Sequence, residues 1–228
     1  MNRLLLVCPI ALIAAVILYA GAQSPPLRQG VSVHMATTEN ASPMPAADNQ
    51  DAWIVAVTAD GRLYFGVKAV TPDQLFEEMK ATPRNRNAKL YVKADVRAPF
   101  GAVEKALNAG REVWFQEVVL LTQQPQSPGS ATPVLPNGLD VAIDPAARAG
   151  GVATVVQLLK PEQPSLSVNN EEIPWPALES TLRRHFEKGD PKVVLVKADL
   201  RLPFGEVAKV IDVCRATGAQ ISLEAAGL

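Results

Sequence analysis

Short apolar runs and longer stretches with helical spacing take turns along this chain, and the whole succession occurs twice. In the first pass Ile54, Val55, Ala56 and Val57 form a strand-like run, Asp60-Gly61 is a hairpin turn signal, and Leu63, Tyr64 and Phe65 begin the return strand. Thr71-Pro72-Asp73-Gln74 then has the form of a helix start, with Thr71 as N-cap, Pro72 in the first turn and Gln74 placed to close a capping box. Leu75, Phe76 and Met79 give that helix its apolar face. Lys89, Leu90, Tyr91 and Val92 make the next strand, residues 95–98 a loop, and Pro99 opens a second helix with Val103, Ala106, Leu107 and Gly110 turned inward. Val118, Val119, Leu120 and Leu121 close the unit.

The second pass repeats the order. Residues 155–159 and 166–168 read as hairpin strands joined by a Pro-rich turn, Trp175, Leu178, Leu182 and Phe186 line a helix, and residues 193–196 make the third strand. Val207, Val210, Ile211 and Cys214 stripe the second helix, Gly218 caps it, and residues 220–223 form the last strand. The predicted fold is α+β: an N-terminal membrane helix, then two tandem small mixed-sheet modules, each strand, strand, helix, strand, helix, strand. With a hairpin and a parallel crossover in each module, both helices belong on one face of the sheet.

The duplication is most explicit in one block. Residues 92–106 and 196–210, offset by 104 positions, share ten of fifteen residues, including Lys-Ala-Asp-x-Arg-x-Pro-Phe-Gly. Between an apolar run and a helix, this block reads in two ways. A catalytic reading would make Asp95 and Asp199 acidic catalysts, with Arg97 and Arg201 holding an anion. A structural reading has each Asp turning its carboxylate onto loop amides while Pro99 and Pro203 preset the helical φ. Phe100 and Phe204 plug the gap between helix and sheet, and Gly101 and Gly205 admit close backbone approach. The structural reading explains the block better, because nothing nearby completes a catalytic set: no Ser or Cys stands beside a His base, no His cluster offers metal ligands, and no glycine-rich phosphate loop is present. On this reading the protein is not an enzyme and requires no cofactor, and Asp95, Arg97, Asp199 and Arg201 sit on loops that a partner could read.

The remaining segments set the organisation. Residues 1–22 carry an uncharged apolar stretch after Arg3 that is just long enough to cross a bilayer, and they also resemble a signal peptide ending at Ala20-Gly21-Ala22. Both readings export the rest of the chain. Cys8 lacks the small preceding residue of a lipid-attachment site. Residues 23–50 read as a flexible polar tether and residues 123–150 as a Pro-rich, extended linker that separates the modules without fixing them. The modules then occupy residues 51–122 and 151–226.

Composition narrows the partners. With 22 basic and 23 acidic residues and a formal charge of −1, the chain offers no electrostatic footprint for nucleic acid or anionic lipid. Two cysteines, one of them on the inward stripe of a helix, point to a buried structural thiol in an exported protein that does not depend on disulfides.

An apolar anchor and a polar tether precede a module built from an Asp-Gly hairpin, a short helix, a strand ending in Val-Lys-Ala-Asp, then Pro-Phe-Gly-x-Val and Val-Ile-Asp. In this it resembles the ExbD/TolR biopolymer-transport family, most closely over residues 193–223 and nearly as well over 53–122. The resemblance implies a single-span inner-membrane protein with its bulk in the periplasm, partnered by an ExbB/TolQ-like multispan channel in a proton-driven motor. It also implies work passed toward TonB- or TolA-like proteins, with peptidoglycan a further candidate partner. Two departures shape the expectation. The family's membrane aspartate has no counterpart in residues 4–22, which implies an accessory role. Two modules on one chain raise each other's local concentration, so an intramolecular pseudo-dimer or a homodimer is expected. The alternative is a periplasmic scaffold that binds cell-wall polymer or protein without motor activity.

Overall fold

The computed structural model describes residues 31–83, 88–115, 117–125, 136–142, 153–159 and 164–225. The expected membrane helix lies outside the described residues, and among these no helix is long and apolar enough to cross a membrane. The described elements are strands β1 (Ser42–Pro43), β2 (Trp53–Val57), β3 (Leu63–Phe65) and β4 (Lys68–Val70), helix α1 (Pro72–Ala81), β5 (Leu90–Ala94), helix α2 (Phe100–Glu112), β6 (Glu117–Thr122) and β7 (Asn137–Ala142). They continue with β8 (Thr154–Leu159), β9 (Ser165–Val168), β10 (Glu171–Ile173), helix α3 (Leu178–Glu187), β11 (Val193–Ala198), helix α4 (Phe204–Ala216) and β12 (Gln220–Ala225).

Local signals give the expected elements. Thr71 and Gln74 form the capping box of α1, the hydroxyl accepting from the Gln74 N–H at 3.2 Å and the Gln74 amide oxygen from the Thr71 N–H at 2.9 Å. The inward stripes Val103, Ala106, Leu107, Gly110 and Val207, Val210, Ile211, Cys214 are buried. Each half contains one strand more than the sequence pattern predicts, because β4 and β10 are three-residue edges whose pairing to β3 and β9 supplies what their composition does not. Trp175 is the other local difference: it stands in a 3-10 turn before α3, partly exposed, and the helix is seated by Leu178 and Leu182.

The two halves do not form separate sheets. One mixed sheet runs β10-β9-β8-β11-β12-β7-β6-β5-β2-β3-β4, with β1 paired to β7 off this path. β7, from the stretch expected to be a loose linker, joins the halves: it is antiparallel to β6 along its whole length and meets β12 in parallel at Ser222 and Ala142. The helices lie on one face, where Val55, Leu90, Val92, Val118 and Leu120 share a core with Phe100, Val103, Val194, Val196, Phe204 and Ile211. That core runs through both halves.

The opposite face shows why the expected tether is, over residues 31–50, part of the fold. Strand alternation turns Ile54, Tyr91, Val119 and Leu121 to this side, and Met44 and Ala47 cover them. β1 pairs with Gly138 and Asn137, while the 3-10 turn Pro45–Asp48 lies beyond it. These cover residues are too few and too irregularly spaced to register as a period, so composition alone reads them as solvent-borne. In the second half the matching face carries Gln157, Ser222 and Glu224, with Lys197 and Glu224 paired at 3.1 Å, where the first half carries Ala56, Val119 and Leu121. On that face Ser222 is buried, Gln157 and Lys197 are half-buried and Glu224 is exposed.

Candidate functional site

The repeated loops, 104 residues apart in sequence, meet in space. Pro99 and Pro203 form an antiparallel bridge. The Phe100 N–H donates to the Leu202 carbonyl at 2.8 Å and the Gly101 N–H to Leu200 at 2.8 Å; reciprocally, Phe204 donates to Ala98 at 2.8 Å and Gly205 to Val96 at 2.9 Å. A helix begins with N–H groups that have no partner within it. Neither Pro99 nor Pro203 has a side chain that could cap them, and none does. Each helix is capped instead by the backbone of the other half.

This pairing assigns the motif glycines. A Cβ on Gly101 would lie 3.3 Å from the Leu200 carbonyl oxygen, and one on Gly205 would lie 3.2 Å from that of Val96. The glycines thus allow each helix N-terminus to come up against the opposite loop. Phe100 and Phe204 are fully buried behind them.

The charged pairs shape the same loops. Asp95 accepts from the Arg97 N–H at 3.0 Å and from its guanidinium at 2.8 and 3.0 Å, and takes a fourth bond from the His34 N–H at 3.1 Å. Asp199 repeats the clamp with Arg201 at 2.9, 3.1 and 2.8 Å. The Arg97 guanidinium and the backbone N–H groups of Arg97 and His34 hold the Asp95 carboxyl well below the usual carboxylate range, although burial opposes them. Arg201 lowers Asp199 in the same way. The carboxylates are therefore engaged in folding the loop, aiming the carbonyls of residues 96, 98, 200 and 202 across the seam, while the Arg97 and Arg201 side chains stay about 70% exposed. Among the described residues no group of three or more His, Cys, Asp or Glu side chains could hold a metal ion.

A pH effect follows from the sign of the Asp95 shift. A carboxyl depressed in the folded state stabilises the fold above its unfolded value, near 4, and that contribution disappears as pH falls through the folded value. Asp95→Asn should therefore be less stable than the parent protein at pH 7, with the gap closing progressively below about pH 4. Urea titrations at pH 7, 4 and 2.5 would show this, and a gap independent of pH would contradict it.

Several residues that complete the arrangement carry little signal in the sequence. Asp212, on the inward side of α4, accepts from the backbone N–H groups of Glu39 at 2.9 Å and Asn40 at 2.8 Å. Arg215, one turn on, donates to the Asn40 carbonyl, the Ser42 hydroxyl and Asp140 at 3.1, 2.7 and 3.2 Å. Asp140 also pairs with Lys89, which holds Glu117 at 2.8 Å, and these side chains line a cleft of about 300 Å³ where β7 and β12 diverge. The N-terminal segment is thus tied to α4 in the far half as well as to the Asp95 loop. The one readable hint is Asp212 itself, the acid that follows the stripe residue Ile211 and ends the Val-Ile-Asp motif. Cys214 in that stripe is fully buried, which pushes its thiol up to about 12 and leaves it a packing group.

With this geometry in place, the comparison with known families is specific. Residues 12–125 match the family model described as biopolymer transport protein ExbD/TolR. The chain belongs to the ExbD/TolR family. The match begins inside the apolar N-terminal stretch and runs through the first half to just beyond the end of β6. No curated protein and no solved structure matches the chain. ExbD/TolR membership supports a role related to biopolymer transport.

Proposed function

We propose that the chain is an inner-membrane-anchored, periplasm-facing subunit of an envelope transport system linked to the proton-motive force. In this reading it acts beside an ExbB/TolQ-like multispan protein and toward a TonB- or TolA-like protein or peptidoglycan. The observation that carries the proposal is the family match, which joins part of the apolar stretch to the first half in one continuous block. The absence of any Asp, Glu, His, Lys or Arg from residues 4–22 makes the subunit accessory: that stretch offers no carboxylate to carry a proton at depth, so any proton site belongs to a partner. The reciprocal seam fits the same reading, since a single chain presents two paired family modules as an intramolecular pseudo-dimer. Asp95, Arg97, Asp199 and Arg201 flank its axis as partner-contact candidates.

The anchor can be tested directly. Replacing residues 4–22 with an unrelated charge-free membrane helix should leave transport-dependent growth unchanged. Loss of growth with the protein still correctly placed in the membrane would refute the passive-anchor role. The reading as a scaffold without motor activity rests on the same missing carboxylate and separates at one point: copurification of an ExbB/TolQ-like channel with the intact protein supports the transport subunit, and its absence the scaffold.

A further inference from the structure

The two halves act as controls for one another, and they part company most sharply where their second helices end. α2 closes with the Trp114 N–H donating to Arg111 at 3.0 Å and the Phe115 N–H to Gly110 at 3.0 Å, the paired bonds of a Schellman cap. Such a cap places its C′ residue in the left-handed region. At the matching position of α4 stands Gly218, with φ +75° and a bond to the Arg215 carbonyl at 2.9 Å. Glycine adopts that conformation freely. In the first half the residue is tryptophan, with φ +64° and 84% of its surface exposed. A bulky residue at positive φ is strained, and an indole in water gains nothing for folding. Strain held at an exposed aromatic is a reason to look for a function.

Two further observations say what covers the ring. Two residues earlier, exposed Glu112 replaces the Ala216 of the other half, so the acid and the aromatic occur together and are absent together. The Arg111 guanidinium donates to Asn108 and to the Leu223 carbonyl. An indole face, a carboxylate and the negative end of a helix dipole all favour a cation. The location sets the direction of approach. The chain enters the fold at His34, bound to Asp95 just past the carboxyl end of β5, whereas Trp114 precedes the amino end of β6, which runs parallel to β5. The Trp114 loop therefore lies at the end of the sheet opposite to His34.

We infer that Trp114 and Glu112 form a docking knob for a cationic, partly apolar segment of an envelope protein on the membrane-distal side, an inference that rests on the anchored, exported reading proposed above. The test uses the full-length protein in its own membranes, with the photo-crosslinking residue p-benzoylphenylalanine at position 114 and, as controls, at 218 and 67. Position 114 should capture one envelope protein through a peptide rich in Lys or Arg, and position 218 should not. That peptide, synthesised, should bind the intact detergent-purified chain in a salt-sensitive way, at least about tenfold more weakly to Trp114→Gly and less weakly to Trp114→Phe. The melting temperature of Trp114→Gly should not fall, which separates docking from folding.

Capture of lipid, of a second copy of this chain or of an acidic segment would overturn the inference, as would peptide binding unchanged in Trp114→Gly. If position 114 captures nothing, labelling of a cysteine placed there in intact spheroplasts decides which statement fails. A shielded residue sinks the exported reading, while an accessible one sinks the docking knob alone.

Discussion

Phe204→Ala should lower the stability of the whole fold by about 3 to 5 kcal/mol, and the loss should be visible in the other half. The ring is fully buried beside a seam where each helix takes its cap from the opposite loop. Trp53 supplies the readout: it is buried in the first half, with ring centres 5.5 Å from Phe65 and 5.3 Å from Phe115. In a background with the exposed Trp114 and Trp175 changed to Phe, Trp53 fluorescence should melt in one transition that coincides with circular dichroism. The Phe204→Ala substitution should move that transition down by roughly 10 °C. A Trp53 midpoint unmoved by Phe204→Ala would mean that the halves fold independently and that the shared core and reciprocal caps do not couple them.

Gly138→Ala should be nearly as damaging despite adding a single carbon. A Cβ there would fall 2.2 Å from the Val119 Cγ1, with the Leu120 carbonyl oxygen and the Met44 Cγ each at 3.2 Å. Val119 is a stiff, fully buried strand residue and cannot swing aside. The expected loss is about 3 kcal/mol, at the upper end for overpacking. It should be accompanied by faster hydrogen exchange at the Met44 N–H, which donates to the Pro136 carbonyl. Val119→Ala in the same chain should recover most of the stability by vacating the volume, and failure of that rescue would mean that the damage is not steric.

These two sites mark the limit of what the sequence displays. Phe204 stood out because it belongs to a repeated block, and its burial follows from local pattern, as do the Thr71 capping box and the stripe ending at Cys214. Such features need only neighbours within a turn or two. Gly138 lay in a stretch read as linker, since a strand of the form Asn-Gly-Leu-Asp-Val-Ala has weak intrinsic preference and acquires its structure from β6 and β12. The same holds for the cover formed by Met44 and Ala47, which are too few and too irregularly spaced to show a period. At the candidate site the residue types were legible in the repeated block, where Asp95 and Asp199 accept from the backbone N–H groups of Arg97 and Arg201. Where the loop carbonyls point was not, because Val96, Ala98, Leu200 and Leu202 accept through backbone oxygens alone, and backbone direction leaves no trace in residue identity. The surface that Gly101 and Gly205 approach belongs to a segment about a hundred residues away, which residue identity does not display.

The pairing at Pro99 and Pro203 also bears on how such a chain can change over time. In an assembly of two identical subunits every substitution appears on both sides of the axis, so a residue that suits one side and harms the other is lost. Here the two sides are separate stretches of one polypeptide, and each accepts its own changes as long as the shared backbone contacts survive. An aromatic can replace glycine on one side alone, and a carboxylate can line one sheet face while leucine lines its counterpart. The molecule keeps the stability of a symmetric pair while its two ends become free to meet different neighbours.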